Sequence, residues 1–583
     1  MSFVILFGLM LMGSLLEAAG IGAVPAFVSL IMKPSSLSEY PWIGKWLSGL
    51  PDEPSVHIIF WASLLLLGFI ILKNLFLIFV FYTQAKIVTS QQVKLSDRMF
   101  KSYQSAPYEW ILQRSTSELL RNIQNDTTQV LKEVIMPFLN LIMAVTMISV
   151  IVIVLIFAAP GSALLGLLVT GVGLYIVVRY FHKHLREAGR TFRHEFKEII
   201  KAVQQGFGAL VDARIIGCET YLNKVHKDAL LRQASAWRYK LTIMKATPFV
   251  IETFAIFGLL VILFILIKTS TSLESVLPTI FLLGVATIRL KQLMGGIAGA
   301  INQINAGRAF IPGIVNDLRE LADIEKQVNH KKADTKKLGA FKSLKLNDVS
   351  YAYPEVDTKA IENISFQVNR GESIAFVGST GCGKSTLANL ILGLLEPTKG
   401  SIKANDIDIA QNITAWRTHL GYIQQSIYLI DDTIRANIVL GLVEEEVDDE
   451  QLWSALRSSR LEEFIKTLPD GLDTVVGERG VRLSGGQRQR IGIARALYTN
   501  PEVLIMDEAT SALDNTIEKE VMEAIHNMKQ GRTLIMIAHR LSTVKDCDRL
   551  FFLMDGAIEN RGTYEELKNI SEPFRKMVLN EED

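Results

Sequence analysis

The chain has 583 residues, long enough for several domains, and 49% of them are hydrophobic, which is high for a soluble protein. A formal net charge of +1 at pH 7, with no basic tail and no aromatic-basic patch, offers nothing to a nucleic acid. The cysteines Cys218, Cys382 and Cys547 stand far apart, with no CxxC pair and no metal-ligand spacing, so reduced cytoplasmic thiols are expected.

The apolar excess lies in the first half of the chain. A bilayer core of ~30 Å needs about 20 apolar residues per helix, and six stretches qualify: 3–32, 57–82, 134–158, 162–181, 248–268 and 276–300. The first is no signal peptide, because it lacks a basic leader, is too long and carries Glu17. No cytoplasmic residues precede it, which leaves room for a natural start upstream of Met1. Lys and Arg crowd the segments 83–133 and 182–247 and nearly vanish from 158–162 and 269–275. Positive residues gather on the cytoplasmic side, so both chain ends are expected there.

Apolar residues recur at helical spacing through the two long basic loops, so the second, third, fourth and fifth spans are expected to run on as helices into the cytoplasm. Within them, Ser117 to Asn122 and Gly208 to Arg214 are candidate turns that touch the second half of the chain; a solvated charged helix face reads the same way. Tyr40 to Leu47 combines aromatics with Lys45 in a segment too short to cross, and reads either as an interfacial segment or as an ordinary outer loop.

An ionisable side chain at the bilayer centre costs at least ~2.5 kcal/mol unless paired or wet. Glu17 and Lys73 are mid-span, Glu252 opens the fifth span, and Arg289 and Lys291 interrupt the sixth. Glu17, Lys73 and Arg289 are therefore the candidate substrate-cavity residues, the alternative being a Glu17 to Lys73 pair that locks two helices. Arg289 and Lys291 lie roughly 200° apart on a helix. At most one lines a cavity, and the other pairs or snorkels.

The second half has ordinary soluble composition and follows a polar linker, Ile324 to Lys332, with a start near Phe341. Val349 to Pro354 offers an aromatic platform for adenine, with Tyr353 the first choice and Tyr351 the alternative. Residues 378–385 read GSTGCGKS, the G-x-x-x-x-G-K-[ST] pattern of a loop whose N–H groups wrap nucleotide phosphates. A chain of this length matches it by chance about 0.02 times. An apolar run, Ser373 to Val377, precedes it and a helical one, Thr386 to Leu392, follows, the strand–loop–helix order the pattern needs. Gly378, Ser379, Thr380, Gly381, Cys382, Gly383, Lys384, Ser385 and Thr386 are the candidate phosphate contacts. Lys384 is suited to the β/γ-phosphates and Ser385 to Mg²⁺.

Further on, Leu483-Ser484-Gly485-Gly486-Gln487 opens a helical pattern. A small-residue turn at a helix start binds anions through free N–H groups and the helix dipole. The apolar run Val503 to Met506 ends in Asp507-Glu508, which puts Asp507 in reach of Mg²⁺ and makes Glu508 the candidate base for the attacking water. A second run, Thr533 to Ile537, leads to His539, a candidate γ-phosphate contact.

Two phosphate-binding helix starts with one Lys-bearing loop resemble the ATP-binding cassette family. The resemblance covers approximately 343–575 and rests on GSTGCGKS, Tyr422-Ile423-Gln424-Gln425, LSGGQ, VLIMDE, Ser511-Ala512-Leu513-Asp514 and His539. It implies an α-helical membrane domain of six transmembrane helices with long cytoplasmic extensions, fused to an α/β P-loop NTPase cassette: 1–325 membrane domain of type I/type IV exporter kind, 326–342 linker, 343–583 cassette. It implies ATP and Mg²⁺ as cofactors, with Gln425 joining Ser385 and Asp507 at the metal and Glu508 and His539 in catalysis. Each ATP would lie between the phosphate loop of one cassette and Ser484, Gly485, Gly486 and Gln487 of another, with Asp514 at the dimer contact. Intact Glu508 and His539 favour a homodimer over a heterodimer.

With six spans ahead of the cassette, the chain resembles an exporter-type half-transporter of the cytoplasmic membrane. LEAAGIG at 16–22, Lys73 to Phe76, Ala106 to Trp110 and Ser117 to Asn122 look like the branch of bacterial lipid-linked oligosaccharide flippases. Members of that branch carry further cavity arginines where this chain has Phe249 and, approximately, Gly296, while Lys73 and Arg289 match a cationic position. The expected activity is ATP-driven export or flipping of an amphipathic substrate, a lipid or lipid-linked oligosaccharide, with membrane lipids as partners. A peptide or drug exporter, or an ATP-gated or regulatory membrane protein, are the other readings.

Overall fold

The structure, a computed structural model, describes residues 2–32, 56–158, 160–269, 273–331, 338–354, 358–507, 532–538 and 540–582. It divides into two compact units, Met1–Ala106 with Ile111–Asp323, and Pro107–Trp110 with Ile324–Asp583. Tyr40 to Leu47 lies outside the described residues.

The first unit is helical: α1 (Ser2–Met32), α2 (Val56–Gln104), the end of a short α3 (Tyr108–Leu112), α4 (Thr116–Leu120), α5 (Thr127–Val130), α6 (Met136–Ala158), α7 (Pro160–Gly208), α8 (Leu210–Ile216), α9 (Glu219–Thr269), α10 (Leu273–Gly307) and most of α11 (Ile311–Lys331). Six of these contain the six apolar stretches. The 49 residues of α2 make a rod of about 74 Å, more than twice a bilayer core, so its polar half runs on beyond the membrane; α7 and α9, with 49 and 51 residues, do the same. Among the described residues, Val56–Gln104, Thr116–Ile153 and Glu219–Phe264 are long and apolar enough to cross a membrane.

Burial in this unit is inverted relative to a soluble bundle. Leu65 and Leu72 point outward, 76% and 70% exposed, while Ser14, Glu17, Lys73 and Gln84 are buried. The Ser14 and Thr146 hydroxyls sit 2.9 Å apart and Gln84 Nε2 donates to Asn140 Oδ1 at 2.8 Å. Polar groups satisfied inside and apolar groups outside are what a hydrocarbon solvent demands.

Ser117 to Asn122 is not a turn. The chain is continuously helical from Thr116 to Ala158, with π-helical turns at Arg121–Asp126 and Leu131–Ile135 joining α4, α5 and α6. Its polar side chains are buried against distant helices rather than solvated. Arg193 Nε donates to Asp126 Oδ2 at 2.7 Å, Asn122 Nδ2 to Asp317 Oδ2 at 2.8 Å, and Lys197 Nζ to Glu118 Oε2 at 3.1 Å. By contrast the chain does break after Gly208, and α8 is closed by Gly217 in the left-handed region at φ +74°, a position glycine fills without steric cost. The polar stretch read as a linker continues α11 to Lys331.

The second unit holds an antiparallel sheet, order β2-β1-β4-β5, and a six-stranded sheet, order β10-β9-β3-β8-β7-β6. Their strands are β1 (Ser343–Tyr351), β2 (Ile361–Asn369), β3 (Ser373–Gly378), β4 (Lys399–Ala404), β5 (Ile407–Asp408), β6 (Leu420–Ile423), β7 (Val503–Asp507), β8 (Thr533–Ile537), β9 (Arg549–Met554) and β10 (Ala557–Gly562). In the larger sheet β9, β3, β8, β7 and β6 are parallel and only β10 is antiparallel. Side chains alternate between two cores: Ala375, Val377, Leu504, Met506, Leu534 and Met536 on one face, Ile374, Phe376, Val503, Ile505, Ile535 and Ile537 on the other. A parallel sheet covered on both faces needs continuous apolar strands, which is why these runs lack polar alternation.

Candidate functional site

β3 ends at the centre of the large sheet, between β9 and β8, and delivers the phosphate loop to its C-terminal edge, where α/β sheets hold ligands. Gly378 has φ +153°, and a Cβ there would lie 2.2 Å from the Leu553 carbonyl oxygen; Gly383 has φ +102°, and its Cβ would lie 2.5 Å from that of Ala360. No other residue fits either place. Lys384 opens α12 (Lys384–Ile391) and is buried, its Nζ donating to the carbonyls of Gly378 at 2.8 Å and Ser379 at 2.9 Å. Cys382 is buried beside it, with Sγ 3.7 Å from that ammonium. Ser379, Thr380, Gly381 and Ser385 are exposed.

Thr386 is buried, and its Oγ1 lies 3.1 Å from the hydroxyl of Tyr353. Tyr351, 1% exposed, belongs to the core. Its ring meets that of Tyr353 edge to face, centroids 5.0 Å apart. Only Tyr353, half-buried, keeps a face for stacking.

Ser484 caps α13 (Gly485–Tyr498), and Gly485, Gly486 and Gln487 form its first turn. Ser484 Oγ accepts from Gln487 N at 3.2 Å and Gln487 Oε1 accepts from Ser484 N at 2.8 Å. The two side chains thus satisfy each other in a capping box, which leaves the N–H groups of Gly485 and Gly486 as the donors of this helix start without an intrahelical acceptor.

Asp507 closes β7 and is buried. Gln425, exposed, follows the end of β6 at the same sheet edge. The Tyr422 hydroxyl donates to Asp507; burial first, then the Asp507 charge, pushes its pKa up to about 12, so it remains a proton donor at neutral pH. Tyr422 was not singled out from sequence, although it sits three residues before Gln425 in the quoted motif. Glu508, Asp514 and His539 lie outside the described residues.

In the helical unit, Glu17, Lys73 and Arg289 come together from α1, α2 and α10. Lys73 Nζ donates to Glu17 Oε2 at 2.7 Å and Arg289 Nη1 is 3.3 Å from Glu17 Oε1. They line a cavity of about 230 Å³ with Asn74, Leu77, Phe81, Met143, Met147 and Gln292. Two cations face one carboxylate, so the lining carries a net positive charge. The Glu17–Lys73 pair joins two helices and lies in the wall of this cavity. Lys291 turns away to Glu252, 2.5 Å distant. Asn74 and Gln292 were missed; their signal was a polar residue beside an ionisable one inside an apolar run.

Residues 21–288 match the profile of the ABC transporter transmembrane region and residues 361–511 that of the ABC transporter. The chain is 29% identical over 565 residues to an ATP-dependent lipid A-core flippase of Thiobacillus denitrificans, covering 96% of this chain and 93% of that one. It is 28% identical to another of that name from Alkalilimnicola ehrlichii, covering 93% and 91%. It is 30% identical over 423 residues, 71% of each chain, to an uncharacterized ABC transporter ATP-binding protein, YwjA, of Bacillus subtilis. In fold it resembles a bacterial Atm1-family ABC exporter with ATP bound, at TM-score 0.81 and 22% identity over 100% of this chain and 98% of that one. A membrane region with long apolar helices and one ATPase cassette on a single chain make this a multi-pass membrane protein, an exporter-type half-transporter that belongs to the ABC transporter family.

Proposed function

We propose that two identical chains pair to move an anionic amphipathic molecule, a lipid or lipid-linked oligosaccharide, outward across the cytoplasmic membrane, with cassettes and chain ends in the cytoplasm. The observation that carries the substrate class is the cavity in which Lys73 and Arg289 outnumber Glu17 between apolar walls of Leu77, Phe81, Met143 and Met147. Apolar walls suit an acyl or polyprenyl chain, and the surplus cation suits a phosphate. Two relatives named as lipid A-core flippases are consistent with such a cargo.

In this reading Gly378 to Thr386 wrap the phosphates, Lys384 exchanges its loop carbonyls for the β/γ-phosphates, and Tyr353 stacks on adenine. Ser484 to Gln487 of the second copy close over the γ-phosphate, with Asp514 at the contact. Glu508 orients and deprotonates the attacking water, Gln425 assists it, and His539 reaches the γ-phosphate. The hydroxyl of Ser385, the amide of Gln425 and the carboxylate of Asp507 are a hard oxygen donor set that fits Mg²⁺, which when bound neutralises charge on the phosphate oxygens. Pairing finds support in α8, where Val211, Ile215 and Ile216 are 69%, 79% and 75% exposed, an apolar face that a second chain would cover.

The test is reconstitution in liposomes. A polyprenyl-diphosphate glycan or a phosphorylated lipid should cross in an ATP-dependent manner and stimulate ATP hydrolysis, and Lys73→Ala should weaken both. Stimulation and transport by an uncharged amphiphile, with none by the phosphorylated ones, would refute the substrate class.

A further inference from the structure

Pro107–Trp110 groups with the second unit, although in the chain it follows closely on α2, which ends at Gln104. Trp110 is buried, and Glu109 Oε1 accepts a 3.1 Å hydrogen bond from the Tyr351 hydroxyl. Tyr351 holds Tyr353 edge to face, centroids 5.0 Å apart at 86°, and the Tyr353 hydroxyl is 3.1 Å from Thr386 Oγ1 in the first turn of α12. Three successive contacts thus run from Glu109 to the helix that Lys384 opens. Burial, then the Glu109 charge, raises the Tyr351 phenol well above its ordinary pKa, so it stays a donor through the physiological range. From the same tetrapeptide, Tyr108 adds to the field on Tyr422, the residue that donates to Asp507.

We propose that Pro107–Trp110 is a positioning element of the nucleotide site: Glu109, acting through Tyr351, sets the stance of the Tyr353 ring. The proposal rests on the reading of Tyr353 as the adenine platform. A ring that lies against a second ring and is pinned at its hydroxyl has two supports, and Glu109 controls the first. A hydrogen bond to a charged acceptor is stronger than a neutral one, so the Tyr351 ring is held against sliding within its sheet. The pose offered to adenine is thereby tied to a segment that emerges from the end of α2.

The experiment is ATPase kinetics on the full-length protein in lipid nanodiscs. Tyr351→Phe keeps the ring and loses the hydroxyl; Glu109→Ala loses the acceptor. Each should raise KM for ATP about fivefold with kcat within about twofold, and the double variant should be no worse than either, because both remove the same bond. Glu109→Gln, whose amide oxygen still accepts, should restore KM. Tyr353→Ala reports on the platform itself and should raise KM more than about tenfold. Unchanged KM in Tyr351→Phe and Glu109→Ala beside a raised KM in Tyr353→Ala overturns the proposal and leaves the platform standing. Unchanged KM in Tyr353→Ala overturns both. A loss of kcat and folded yield in all variants alike, Glu109→Gln included, means the bond is only structural and also overturns it.

Discussion

Replacing Glu17 by Ala strands two cations. Lys73 and Glu17 have side chains 6% and 9% exposed at 2.7 Å, while Arg289, 42% exposed, stands 3.3 Å from the same carboxylate. At an effective dielectric constant near 20 these separations correspond to gross attractions of about 6 and about 5 kcal/mol. Desolvation offsets much of that in the intact triad, so its net worth is small. Breaking it is different, because the buried ammonium keeps its desolvation penalty and loses its partner, a loss of about 3–5 kcal/mol. Glu17→Ala should therefore be strongly destabilising, whereas Glu17→Ala with Lys73→Met removes both charges and leaves only Arg289, which cavity water can solvate. The double variant should recover about 2 kcal/mol relative to Glu17→Ala. SDS titration of helicity in mixed micelles gives the comparison directly. A double variant less stable than Glu17→Ala, or a Glu17→Ala protein as stable as the parent, would show that the triad is not closed in the membrane.

Three further outcomes are expected. Gly378→Ala sets a methyl carbon 2.2 Å from the Leu553 carbonyl oxygen at a φ of +153°, so the cassette should lose at least about 2 kcal/mol of stability together with its nucleotide affinity; retention of both in thermal shift and ATP-binding measurements would refute the loop geometry. Glu508→Gln should bind ATP and hydrolyse it about 10²–10⁴-fold more slowly, and turnover like the parent's would sink the assignment of Glu508 as the base. Burial alone would raise the Glu118 carboxyl, but Lys197 and then Arg121 outweigh it and hold it below the ordinary value. Its stabilising contribution is therefore complete above about pH 4.3 and is lost as pH falls through the lower folded value, so acid titration of thermal stability should show a shallower acid limb in Glu118→Gln than in the parent.

The parts of the molecule that could be read in advance are those whose signal is local. β3, β7 and β8 were readable because both their faces are covered, which turns each into an unbroken apolar run. The spans were readable because hydrocarbon demands apolar length. What could not be read depends on partners far off in the chain. Arg121, Asn122 and Asp126 look like a solvated charged surface until Arg193 and Asp317 arrive from α7 and α11. The helical course of α11 through a polar stretch was hidden by its charges, although Ile314 and Leu321, seven apart and both buried, keep an apolar stripe at helical spacing. Glu17 and Lys73 stood out singly by their cost at membrane depth, but that Arg289 faces the same carboxylate needed three helices at once. That Tyr351, the alternative to Tyr353, is buried in the core likewise needed the packed sheets.

The π-helical turns between Thr116 and Ala158 have a consequence for how one helix addresses two neighbourhoods. A π turn holds roughly 4.4 residues against 3.6 in an α turn, so the six and five residues of these turns unwind the helix by roughly 200°. Wound as α-helix throughout, Asn122 and Met143, 21 residues apart, would point roughly 60° apart; with the turns the offset becomes roughly 100° in the opposite sense. The turns act as a phase adjuster set into a rigid shaft. Removing one residue from each would return the helix to uniform pitch and leave the two faces in the same relation, because two α-helical residues also turn by roughly 200°; restoring α pitch without a deletion would swing the membrane half away from the cavity.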